Sequence, residues 1–295
     1  MFMLIGMTHL KIFQVLLKNV FQIIKKSKPF FHKEFIMNIN LKFDNEKIYK
    51  ECIKLGEEEN FDKLIPILNN LIKDENFNEN WPIKFLGIAY YKLSKFDYAE
   101  YLLKQFVEKE PNDYQGIVSL CFITIATKKY HDCVKFALRA IKLDKNNPTA
   151  YIDLAVAYEK LNEHEKNLTL LQKAYKIFPD VPIVVNNLIA AYFTLGYDEE
   201  ATSLAEELYK KKPNYHALLY NLGSIYLQNK QLDKSLKILL KNSKIEKYKF
   251  FSMFLTSHVY FYKNNFKLFR QFYQFRLDSA NHQTNPLKYL KVTEY

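Results

Sequence analysis

The sequence predicts an all-α solenoid of repeated helix–turn–helix units, on three observations. From Asn80 to Lys249 the chain repeats itself every 34 residues, five times, without insertion or deletion. Within each repeat, apolar residues recur at three and four, the spacing of one helix face. Glycine and proline are scarce, 6 and 9 among 295 residues, which leaves few breaks outside short turns. A fixed period of this length marks units that stack, because a single helix pair cannot bury its own apolar face.

The columns of the period show what each position does. Leu86, Leu120, Leu154, Leu188 and Leu222 share one column, and Gly87, Cys121, Ala155, Ile189 and Gly223 follow them directly. Four places after the leucines stand Tyr90, Thr124, Tyr158, Tyr192 and Tyr226. A second small column holds Ala99, Cys133, Asn167, Ala201 and Ser235. Small residues are needed where paired helices approach most closely, and leucine and tyrosine fill the space around them. In the third repeat Tyr151, Leu154, Ala155 and Tyr158 keep helical spacing. A break at Leu161-Asn162-Glu163 follows, and Leu168, Leu171, Ala174 and Tyr175 resume the spacing. Pro111, Pro179 and Pro213 close three of the five repeats, since proline cannot extend the second helix.

The repeat 80–113 carries Leu86-Gly87, Tyr90, Ala99, Phe106 and Pro111 in the places a known pattern wants them. On those residues the chain resembles a tetratricopeptide-repeat protein, firmly over 80–249 and loosely over 45–283. The resemblance implies a right-handed solenoid with repeats at 80–113, 114–147, 148–181, 182–215 and 216–249 and a degenerate unit at each end. Asn167 and Asn242 depart from the family pattern at small or apolar positions, and Lys145 and Lys247 stand where proline is usual.

The ends differ from the array. In residues 1–44, Lys11, Gln14, Lys18 and Gln22 form one polar stripe on an otherwise apolar helix, followed by Lys25, Lys26 and Lys28. This is too short and too interrupted to span a bilayer, and it lacks the basic start and cleavage site of a secretory signal. Three readings stay open: residues 1–28 lie on a membrane surface, the segment caps the array, or translation starts at Met37. Residues 45–79 read as a degenerate leading unit, with Ile48, Cys52 and Leu55 on the first helix. Phe61, Leu64, Leu68 and Leu71 mark its second helix, with Pro66 near the start. In 250–283 the small columns are lost, with Ser257 and Phe269 in their places, and aromatic residues crowd the segment. Two readings stand there: a bulky final core covered by Leu287–Tyr295 in the tail 284–295, or a docking and self-association surface over 250–275.

Charge and chemistry narrow the function. The net charge is +11, carried almost entirely by lysine; arginine occurs only at 139, 270 and 276. Nucleic-acid binding through a lysine-rich convex face is disfavoured, because no basic cluster interleaves with aromatics and arginine, the better base reader, is nearly absent. Cys121 and Cys133 occupy small columns and Cys52 the equivalent place in the leading unit. Each reads as a small buried hydrophobe, and a reducing, cytoplasmic setting follows. His131-Asp132-Cys133 has no second ligand pair at metal spacing. Glycine-rich phosphate loops, nucleophile elbows and paired-histidine helices are missing. The acid runs Glu57-Glu58-Glu59 and Asp198-Glu199-Glu200 read as solvated helix ends. Neither a catalytic residue nor a cofactor is expected.

In the family, the first helices line a concave groove. The resemblance places Asn187 and Asn221 there as a two-rung ladder, extended by Asp153. Each amide offers both a donor and an acceptor to an extended backbone. Neighbouring groove columns hold Tyr91, Phe122, Phe193 and Tyr220, with Ile125, Val156 and Leu227, so the groove suits an amphipathic helix or a hydrophobic extended segment. Lys84 is followed by Ile88 where a polar partner belongs, which disfavours capture of a terminal carboxylate. The expectation is a non-enzymatic protein-binding scaffold, cytoplasmic or peripheral at a membrane. The alternatives are a membrane-attached accessory subunit of an envelope or flagellar machine, and nucleic-acid binding.

Overall fold

A computed structural model describes residues 45–280. The expectations for residues 1–44, including membrane attachment through 1–28, and for 284–295 lie outside that range. Among the described residues all regular structure is helical. The chain divides into two compact parts, one ending at Ala89 and the other beginning at Tyr90.

In the first part, helix α1 covers residues 45–57, α2 spans Phe61–Lys73, and α3, Trp81–Lys92, begins. Cys52 and Leu55 of α1 are buried, as are Leu64 and Leu68 of α2. The Trp81 ring meets those of Tyr49, Phe85 and Phe77 at centroid distances of 5.0, 5.2 and 5.8 Å. Pro66 lies inside α2 rather than in its first turn, where proline would be neutral, so α2 forgoes one backbone bond.

From Tyr90 onward the end of α3 leads into a strict alternation. The helices are α4 (Phe96–Lys109), α5 (Tyr114–Ala126), α6 (Tyr130–Leu143), α7 (Pro148–Lys160), α8 (His164–Ile177) and α9 (Pro182–Thr194). They continue as α10 (Asp198–Lys211), α11 (His216–Gln228), α12 (Leu232–Asn242), α13 (Glu246–Tyr262) and α14 (Phe266–Ala280). The second helices α6, α8, α10 and α12 each pack on the first helix of their own repeat and on that of the next. The first helices α5, α7, α9, α11 and α13 also touch one another in sequence, whereas successive second helices meet marginally at most. The first helices therefore lie on the tighter, inner side of the stack.

The two small columns set the closeness of the pairs. Ala99, Cys133, Ala201 and Ser235 are completely buried, and Ser235 Oγ donates to the Gly223 carbonyl at 2.7 Å, bridging α12 to α11. A Cβ on Gly223 would lie 2.5 Å from Leu239 Cδ2, so any side chain there forces Leu239 to move. All three cysteines are buried and free, and burial pushes the Cys52 thiol up to about 11. Asn167 is admitted to its column because its amide donates to Glu159 Oε2 at 3.2 Å. Asn242 Oδ1 likewise lies 3.0 Å from His216 Nδ1.

The turns within repeats carry a column that composition concealed. Ser94, Lys128, Asn162, Gly196, Lys230 and Asn264 recur at the 34-residue period and all have positive φ, between +55° and +80°. In each turn the next residue's N–H bonds the carbonyl five places back: Lys95 to Tyr90, Lys129 to Thr124, Glu163 to Tyr158, Tyr197 to Tyr192, Gln231 to Tyr226, and Asn265 to Tyr260, at 2.7–2.9 Å. This is a Schellman-type closure of each first helix. The tyrosine column thus also supplies the carbonyls that end those helices.

The last repeat departs from the expected boundary. Helix α13 starts at Glu246 instead of near 250, and α12 ends at Asn242. Lys247 stands in the proline column. Lys145 also stands in that column, but there Pro148 at the first position fixes the start of α7, whereas no proline lies between 243 and 250. The first small column also survives. Ser257 is fully buried, with Oγ donating to the Phe254 carbonyl. The second does not, for Phe269 packs its ring on Phe261 and Tyr273, both at 5.5 Å.

Candidate functional site

The aromatic residues that the columns assign to a groove make specific contacts in the second part of the chain. Phe122 of α5 stacks on Tyr91 at 6.4 Å and 25°, joining the inner faces of neighbouring repeats. At the other end Tyr220 of α11 meets Phe251 of α13 edge-on at 6.1 Å. Phe251 is 53% exposed, a large apolar surface left to solvent. Phe193 is half-buried and packs against the cluster containing Leu218, Leu219 and Leu222. Burial raises the Tyr220 phenol above its ordinary range, as expected where only one side of the ring sees water.

The amide ladder takes a different form from the one expected. Asn221 Nδ2 donates to Asn186 Oδ1 at 3.0 Å, so its cross-repeat partner is Asn186, while Asn187 sits half-buried one position further on. The cause is helix geometry. Stacked first helices cross at an angle, so one column on a helix faces the preceding column on its neighbour. Asn186 has an apolar neighbourhood in sequence and reads as core; only its contact reveals it. One bond uses one donor of Asn221 and one acceptor of Asn186, and by inventory each amide retains further capacity.

Asp153 does not extend the ladder. It is 4% exposed, and its Oδ2 is enclosed without a hydrogen-bond partner. Its backbone carbonyl receives the Cys133 thiol at 3.7 Å. Desolvation by burial holds the Asp153 carboxyl up at about 7. The side chain is sunk between repeats because the small columns around it, Cys121 and Cys133, let neighbouring helices close over it. The face therefore joins two aromatic pairs and an amide pair, and withdraws the carboxylate.

Among the described residues no group of three or more His, Cys, Asp or Glu is placed to hold a metal ion, and no helix is long and apolar enough to cross a membrane. What this face offers is contact: aromatic area, amide hydrogen bonds and little charge.

Comparisons with known proteins agree with the geometry. A tetratricopeptide-repeat family model matches residues 136–182. The chain is 30% identical over 95 residues to anaphase-promoting complex subunit 3 of Schizosaccharomyces pombe, covering 32% of this chain and 14% of that protein. It is 29% identical over 89 residues to the BBSome complex member BBS4 homolog of Drosophila melanogaster, covering 30% of this chain and 18% of that one. The chain thus spans less than a fifth of either relative's length. Among solved structures, the APC/C hetero-tetramer Cut9-Hcn1 superposes with a TM-score of 0.65 at 18% identity, over 79% of this chain and 46% of that one. With the 34-residue period and these matches in agreement, residues 136–182 carry a tetratricopeptide repeat and the described array has the fold of a tetratricopeptide-repeat solenoid.

Proposed function

We propose that the chain is a protein-binding scaffold that holds an extended peptide or an amphipathic helix along the inner face of its first helices. The observation that carries this reading is the juxtaposition of Tyr220 and Phe251 with the Asn186–Asn221 amide pair. Exposed aromatic rings supply contact area at low entropic cost. An adjacent amide pair supplies bonds to a backbone whatever its sequence. The relatives named above are members of multi-subunit complexes by their descriptions, which is consistent with a scaffold role. The reading assigns no catalytic role and no cofactor to any residue.

Photo-crosslinking tests it. A benzophenone side chain replaces Phe193 on the inner face, and in a parallel variant replaces Leu138, which is exposed on the second helix α6. In extract of the native cell, the Phe193 variant is expected to crosslink one recurrent partner segment, identified by mass spectrometry. Crosslinks arising from Leu138 alone would reject the inner face as the binding site.

A further inference from the structure

A second site lies away from the inner face, where α8, the turn after it, the start of α9 and α10 meet. Here the walls leave a cleft of about 210 Å³. That is below the range of small-molecule pockets, roughly 300–1,000 Å³, and suits a single long side chain.

The array itself shows what belongs in this position. At two other junctions, a basic residue on one second helix reaches back to the carbonyl of the proline closing the preceding repeat. Arg139 Nη2 donates to the Pro111 carbonyl, and Lys241 Nζ donates to the Pro213 carbonyl at 2.7 Å. Both pairs are 28 residues apart. The same spacing from Pro179 leads to Glu207. A carboxylate cannot donate to a carbonyl, so the clamp is absent in kind, and the cleft lies at this junction with Pro179 and Glu207 in its lining. Tyr175, Leu204 and Leu208 form apolar walls, Asp180 adds a second acid, and Lys211 and Lys212 stand at the same lining, so an incoming cation exchanges for a lysine already there. Glu207 pairs with Lys211 at 2.7 Å, but both side chains are more than half exposed, and an exposed pair of this kind is readily exchanged.

We infer that this cleft receives a basic side chain, best an arginine, from a protein partner, in the place that Arg139 and Lys241 fill from within at the other junctions. The guanidinium donates to the Pro179 carbonyl and pairs with Glu207, and its methylene stem lies along Tyr175, Leu204 and Leu208. Arginine is preferred over lysine because its fork addresses a carbonyl and a carboxylate together. The cleft reaches Val185, directly before Asn186 on α9, but none of its lining residues is Asn186 or Asn221.

The test uses the full chain and a single blocked amino acid, N-acetyl-arginine methylamide, followed by amide NMR shifts. Saturable shifts are expected at Tyr175, Leu204 and Leu208, with the norleucine analogue binding at least tenfold more weakly. Glu207→Arg places the internal clamp and is expected to abolish the arginine shifts with unchanged helicity. Glu207→Gln, which keeps the shape and removes the charge, is expected to weaken binding several-fold. Equal binding of norleucine, unchanged arginine binding to both variants, or no saturable shift in the parent chain would each overturn the assignment.

Discussion

The side-chain amide of Asn221 donates to the side-chain oxygen of Asn186 at 3.0 Å, tying the first helices of two neighbouring repeats across the inner face. A neutral bond of this kind contributes about 1 kcal/mol net. Asn186→Ala and Asn221→Ala are each expected to lower stability by about that much in urea unfolding. The double variant should cost less than the sum, because one bond is lost once. Full additivity would mean the two amides are not coupled.

The left-handed turn column predicts opposite effects for glycine gained and lost. Lys128 and Lys230 hold φ of +61° and +58°, a conformation unfavourable by roughly 1 kcal/mol for a residue with a Cβ. Lys128→Gly and Lys230→Gly should therefore raise stability by a few tenths to about 1 kcal/mol, after the entropy that glycine adds to the unfolded chain. Gly196→Ala should lower it by about 1 kcal/mol. A Cβ there meets no atom within 4 Å, so the loss is purely one of backbone conformation. Thermal unfolding of the three variants checks both signs.

Asp153 predicts a pH dependence. Its carboxyl titrates at about 7 when folded, against an ordinary value of 3.8, because burial disfavours the charge. The folded state then binds more protons than the unfolded one between those values, so this group's contribution to stability falls as pH rises from about 4 to about 7. Asp153→Asn is expected to remove that slope and to be more stable than the parent at pH 8, by an amount on the order of 1 kcal/mol or more. Parallel unfolding curves for parent and variant at pH 5 and pH 8 decide it; an identical difference at both pH values contradicts the prediction.

Glu100 behaves in the reverse sense. It is 6% exposed, and burial pushes its carboxyl up. Bonds of 2.7 Å from Lys104 and Lys129 outweigh that and hold it below the usual glutamate value. Its stabilising contribution is present above the ordinary glutamate value of 4.5 and disappears as pH falls through the lower folded value. Lys129→Ala leaves this buried charge with one partner fewer. The expected loss at pH 7 is about 1 kcal/mol, discounted because the lysine is half in solvent, and it should shrink toward pH 3. Acid titration of the variant's unfolding midpoint measures it.

The fold was legible because its cause is local and periodic. A leucine column, two small columns and a tyrosine column spaced at 34 residues leave one way to bury them, and α3 to α12 follow that spacing. The left-handed turn column escaped notice because three of its six members, Ser94, Lys128 and Lys230, carry side chains that give no sign of positive φ, whereas Gly196 and the two asparagines do. Only the repeated closure by the next N–H exposes the strain. The early start of α13 was not legible from Lys247 in a proline position, since Lys145 stands in the same column and α7 starts on schedule at Pro148.

The columns name Tyr91, Phe122, Phe193, Tyr220 and Asn221, and the contacts that involve them came only from the structure: Phe122 stacks on Tyr91, Tyr220 meets Phe251, and Asn221 bonds Asn186. Asp153 shares a column with Asn187 and Asn221 yet is enclosed, and Asn186, one place aside, takes the bond expected of Asn187.

By itself the sequence determined the class of fold and the alternation of helices within the period, since period and volume act along the chain. The tertiary structure decided which amide meets which, which carboxylate loses its water, and which proline carbonyl is clamped. Those depend on crossing angles and on side chains from different repeats, distances that no single helix encodes.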